Sequence, residues 1–173
     1  ALCLTTKPTS RDAVLEDLAV AFSELGMRDA ARDAHLVLAA SAQLRNVRWQ
    51  ATINLMELAS LDGMEPIFDV YAAELRNAPL DSWLRAHFLL FLGEGLERFG
   101  RYEAAEEAFG EAVAYADANQ IHSVTFKAEE GLGHVRAKAR RQAAAPRFNE
   151  LPAEVLAAAH SISELRKAAL TSA

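Results

Sequence analysis

Three glycines, Gly26, Gly63 and Gly100, stand 37 residues apart in a chain of 173 residues. Each closes one stretch of apolar residues at helical spacing and opens another, so the spacing predicts helical hairpins in which glycine turns the chain back on itself. Glycine suits that place because the residue past a helix C-terminus commonly needs positive φ, which a residue without Cβ adopts without strain. Ala, Leu, Glu and Arg, all strong helix formers, fill the intervening stretches, while the 8 Gly and 5 Pro fall mostly at junctions. An all-α fold of seven or eight helices is expected, with no sheet.

The 3.6-residue pattern places helices over about 11–25, 28–42, 45–61, 65–77 and 83–98. A sixth continues past Phe109 to about Asn119, and a seventh runs from near Ile121 towards Arg141. Thr9 or Ser10 is the expected cap of the first helix, Asp81 or Ser82 that of the fifth, and Pro66 suits the first turn of the fourth. Pro146 disfavours helix at Ala145, so 142–149 reads as a linker and 150–173 as a C-terminal packing or capping helix. Residues 1–9 read as a tail and 10–141 as the repeat domain.

The third hairpin is the most legible. Leu89, Leu92, Gly93, Leu96, Gly100, Tyr102, Ala105, Phe109 and Ala112 occupy the spacing of large, small, turn and aromatic positions of one repeat unit, with Asp117 where a closing Pro would stand. Gly93 and Ala105 are small where two helices should cross closely. This stretch resembles the tetratricopeptide repeat, a helical hairpin of about 34 residues. The resemblance implies antiparallel hairpins stacked as a short α-solenoid, here with a longer and less regular unit, as in degenerate arrays of bacterial regulatory proteins. The second copy departs most, with Thr52, Met56 and Phe68 at positions where the pattern wants large, small and small.

By the same resemblance, the first helix of each hairpin lines a concave ligand face. Carried over by position, that face holds Glu16 and Val20, then Gln50, Ile53 and Glu57, then His87, Leu90, Glu94 and Arg98. The implied role is a protein- or peptide-binding scaffold rather than an enzyme. The acidic cast of the face suits a peptide with basic residues, since carboxylates take charge-assisted hydrogen bonds. A second expectation is a small-ligand pocket lined by Trp49, Phe68, Trp83, Phe88 and Phe91. Self-association is left open.

Several classes have no support in the residues. The net charge of −6 argues against general nucleic-acid binding, which needs accumulated Lys and Arg. No apolar run approaches the roughly 18 to 20 residues that span a bilayer, and the lone Cys3 fits a reducing, cytoplasmic setting without disulfides. No phosphate-binding glycine loop, nucleophile elbow or H-E-x-x-H is present, so no catalytic residue, cofactor or metal is expected. Glu130 and His134 share a helical face but form half a ligand set at most. The cations Arg136, Lys138, Arg140, Arg141 and Arg147 read as partners of a helix C-terminus, with an anion patch as the sharper alternative.

Overall fold

Each of the three glycines sits in the left-handed region, with φ of 74°, 71° and 74°. In each turn the amide after the glycine donates to a carbonyl five residues back: Met27 to Phe22 at 2.8 Å, Met64 to Ala59 at 2.8 Å and Arg101 to Leu96 at 2.9 Å. These bonds satisfy carbonyls that a helix end would otherwise leave unpaired. The residues that follow, Met27, Met64 and Arg101, share one conformation, with ψ of 63°, 67° and 61°. One turn is therefore built three times. The bond recurs from Ile121 to Ala116 at 2.9 Å, with Gln120 at φ 61° in the glycine's place.

A computed structural model describes residues 8–144, with side chains from 10 to 138. Seven helices fill that range: α1 (Pro8–Glu24), α2 (Arg28–Ser41), α3 (Arg45–Leu61), α4 (Glu65–Arg76), α5 (Ser82–Arg98), α6 (Tyr102–Ala118) and α7 (His122–Ala144). The described residues contain no strand, and no described helix is long and apolar enough to cross a membrane. Consecutive helices pack together from α1 to α6, and α3 also packs on α5. Residues through Ala139 form one compact unit.

Two boundaries differ from expectation. α1 already covers Pro8, Thr9 and Ser10, so the expected caps Thr9 and Ser10 lie within the helix. Residues 142–144, expected in a linker, extend α7, since the bias from Pro146 acts only on the residue before it. The remaining linker and the expected last helix lie outside the described residues. Asp81 does cap α5, its carboxylate accepting from the Leu84 amide at 2.9 Å.

The main core runs through α3 to α7, with Phe68, Phe88 and Phe109 fully buried, and a smaller cluster of Leu15, Leu38, Ala42 and Ala51 joins α1 to α3. Glycine sets where the large rings go. A Cβ on Gly93 would lie 2.7 Å from the Phe109 ring and one on Gly131 2.5 Å from it, so Phe109 of α6 is wedged between α5 and α7. A Cβ on Gly95 would meet Phe68 at 2.2 Å, which explains how the second hairpin tolerates a ring where a small residue was expected.

The 37-residue offset shows how volume is traded between copies. Gly93 and Phe109 correspond to Met56 and Ala72 in the second hairpin and to Ala19 and His35 in the first, and all of these are buried. Where one helix gives up its side chain the facing position is large, and the reverse holds one copy earlier. Close packing demands that compensation. Gly93→Leu should accordingly lower stability by about 1–3 kcal/mol in urea unfolding, and by clearly less in a Phe109→Ala background, where the ring it strikes is gone.

Candidate functional site

Three clefts of the described unit draw most of their walls from the odd-numbered helices. The first, of about 600 Å³, lies between α5 and α7 and is lined by Glu94, Glu97, Arg98, Lys127, Glu130 and Lys138 among others. The second, of about 480 Å³, lies between α1 and α3, with Val20, Glu24, His35, Asn54, Glu57 and Leu58 among its walls. The third, of about 390 Å³, joins α1, α3 and the start of α5 through Glu16, Gln50, Asn54 and Trp83. Val20 and Asn54 line both the second and the third.

The first two clefts are one site made twice. Val20, Ser23, Glu24, Arg28, His35 and Glu57 of the α1–α3 cleft correspond, 74 residues on, to Glu94, Glu97, Arg98, Tyr102, Phe109 and Gly131 of the α5–α7 cleft. That offset is twice the hairpin spacing. Side chains differ at all six places, so the same backbone depression presents different chemistry in each copy.

Charges cross the face from helix to helix. Glu57 of α3 is half-buried, and burial first, then the neighbouring Glu94 carboxylate, push its pKa up; Arg98 and Lys127 pull it the other way. Arg98 donates to Glu94 at 3.1 Å and to Ser60 Oγ at 2.9 Å, and that hydroxyl donates to the Glu57 carbonyl at 2.7 Å. α3 and α5 are thus tied by a polar chain. His87 donates from Nδ1 to the Trp83 carbonyl at 2.9 Å, stacks on the Trp83 ring with centroids 3.8 Å apart, and has its pKa lowered mainly by burial. With Nδ1 protonated, its Nε2 is an acceptor.

Of the ligand positions expected from the sequence, Glu57, Glu94 and Arg98 line the two larger clefts and Gln50 the third, its amide donating to Asn54 at 3.2 Å. His87 stands half-buried between Trp83 and Phe91. Ile53 and Leu90 are corrected: they are 0% and 1% exposed and belong to the core. The expectation treated the first helix of a hairpin as free on the side away from its partner, but α3 packs on α2, α4 and α5, and a helix with three neighbours buries more than one stripe. In α7 the same position is Lys127, which is exposed.

His35, Asn54 and Lys127 escaped the sequence reading. The 37-residue offset carried a signal for His35, since it places that residue where Phe109 stands two copies later. Asn54 and Lys127 have no such marker, being ordinary polar residues on helices. Of the five aromatics expected to line a pocket, Phe68 and Phe88 are fully buried in the main core, Trp49 and Phe91 pack against that core, and Trp83 is half exposed at the third cleft.

The basic stretch is engaged by its own chain. Arg136 pairs with Glu106 at 2.8 Å, and Lys138 pairs with Glu97 at 2.7 Å beneath the α5–α7 cleft while lying over the Tyr102 ring. Arg140, Arg141 and Arg147 lie outside the described side chains. Glu130 and His134 line the α5–α7 cleft, and among the described residues no three His, Cys, Asp or Glu side chains are arranged to hold a metal. No protein-family model and no curated protein matches the chain.

His35 gives the stability a pH signature. It is 3% exposed, its Nδ1 has no hydrogen-bond partner, and burial lowers its pKa from 6.5 to about 4. Between those values the unfolded chain binds the proton that the folded chain refuses, so stability falls as pH drops from 6.5 towards 4, by on the order of 3 kcal/mol in full. His35→Leu should remove that component. Unfolding free energies from urea titrations at pH 7 and pH 4.5 are expected to differ by about 2–3 kcal/mol less in the variant than in the wild type.

Proposed function

We propose that this chain is a tetratricopeptide-like helical array that binds a protein or peptide segment, rather than an enzyme, and that the bound segment lies along the face of α1, α3, α5 and α7. The observation that carries this reading is the recurrence of one cleft at a two-hairpin offset, with different side chains in each copy. Repetition of a depression along one face suits an extended partner that places successive side chains in successive clefts, as helical arrays with nearest-neighbour stacking do. The identical turn geometry at Gly26, Gly63 and Gly100 supports the stacked-hairpin solenoid within the same proposal.

The mixed charge of the face favours a partner with basic residues set beside acidic ones. Glu57 and Glu94 stand on neighbouring helices and their fields add, while Arg98 and Lys127 bound the acidic patch. A cytoplasmic setting and self-association stay part of the proposal through the lone Cys3 and the charged face respectively.

Glu94→Lys is expected to weaken a captured basic peptide severalfold while leaving the urea midpoint nearly unchanged, because half-exposed ion pairs contribute little to stability. Peptides can be selected on an array, their affinities measured by calorimetry, and their footprint mapped by amide chemical shifts. Affinity indifferent to charge reversal at both Glu57 and Glu94, or a footprint on the even-numbered helices, would overturn the proposed face.

A further inference from the structure

The two equivalent clefts differ most at their floors. Phe109 closes the α5–α7 cleft with a wedged ring, whereas its counterpart His35 closes the α1–α3 cleft with an imidazole whose Nδ1 is buried and unpartnered. A buried polar atom without a partner is costly and rare in folded proteins. The cleft it lines also carries the carboxylates of Glu24 and Glu57; of the cations nearby, Arg28 pairs with Asp62 at 3.4 Å and Arg98 with Glu94 at 3.1 Å, while Lys127 bears on Glu57 from α7. Asn54 Oδ1 already accepts from Gln50. Val20, Leu58 and Leu61 supply apolar wall.

We infer that the α1–α3 cleft receives a lysine or arginine side chain of the bound segment, its aliphatic stem against Val20, Leu58 and Leu61 and its charged head on Glu57 and Glu24, with His35 held neutral in the wall. The inference rests on the proposed peptide-binding face and names what one of its clefts selects. The chemistry is complementary at each end. Long basic side chains lay their methylenes on apolar surface while the head reaches polar groups, and a half-buried carboxylate such as Glu57 gains from a charge-assisted hydrogen bond. A buried imidazole kept neutral does not oppose the incoming charge. The α5–α7 cleft differs in setting Arg98, Lys127 and Lys138 beside its carboxylates Glu94, Glu97 and Glu130, over a phenyl floor.

The test uses the whole chain, uniformly 15N-labelled, titrated with N-acetyl-lysine methylamide and, in parallel, with N-acetyl-norleucine methylamide, which has a similar stem and no charge. The lysine probe is expected to give saturable shifts at the amides of Gly26, Asn54, Glu57 and Leu58, the norleucine probe to bind about tenfold more weakly, and Glu57→Gln to weaken the lysine probe about fivefold. Thermal melts establish that Glu57→Gln is folded, and Glu24→Gln serves as a second variant on the other carboxylate. Equal binding of the two probes, absence of saturable shifts, or a lysine affinity unmoved by both variants would overturn the inference. Putrescine binding more than about tenfold tighter than the lysine probe would assign the cleft to a free diamine instead. The two readings separate cleanly. A selected peptide that responds to Glu94→Lys and ignores Glu57→Gln and Glu24→Gln removes the cleft and keeps the face, while a Glu57-dependent lysine probe with no peptide bound along the face does the reverse.

Discussion

A single residue at positive φ joins the two helices of each hairpin among the described residues, and the helix packing follows from it. The left-handed turn lets the next amide reach back five residues to a carbonyl of the preceding helix, which ends the helix and fixes where the next begins. An L-residue with a Cβ would carry about 1–2 kcal/mol of strain there, so glycine occupies three of the four such turns. Gln120 holds the fourth, between α6 and α7, where the same backbone bond is made. Because the turns are alike, equivalent residues in successive hairpins meet equivalent neighbours.

That equivalence constrains volume rather than identity. Phe109 lies against Gly93, and at the equivalent buried positions the large residue alternates between the two helices: Met56 with Ala72, then His35 with Ala19. The first hairpin spends this position on an imidazole, a poorer core residue than phenylalanine because one ring nitrogen must go without a partner. The consequence appears on the ligand face, where the floor of one cleft is apolar and the floor of its counterpart is polar. Core packing and surface chemistry are therefore linked through a single position of the repeat.

Across the face, charge is arranged by helix adjacency. Glu57 and Glu94 come from different hairpins, yet the Glu94 carboxylate lies close enough to push the Glu57 pKa up, after burial, and Arg98 joins their helices through Ser60. The further cations at the α7 end, Arg136 and Lys138, are taken up by Glu106 and Glu97. The proposed segment would meet an acidic, polar-floored cleft at α1–α3 and a mixed, ring-floored one at α5–α7.

The sequence by itself determined the all-helical class, the positions of most helices and the turns, because these rest on local causes: 3.6-residue periodicity, helix propensity, and a glycine where positive φ is needed. The spacing of 37 also told which residues would be equivalent. It did not tell which side of a helix would be buried. Ile53 and Leu90 look like outward residues when one hairpin is considered alone, and they are core because α3 packs on α2, α4 and α5, and α5 packs on α3, α4 and α6. The boundaries at Pro8 and Ala144 missed by a few residues, as local signals for helix ends compete over a turn. Only the tertiary structure brought His35 of α2 to the wall of a cleft between α1 and α3, set Lys127 of α7 within reach of Glu57, and closed Phe109 between two glycines 38 residues apart. Those arrangements depend on contacts between distant parts of the chain, and periodicity along a sequence carries the faces of helices but not the identity of what they face.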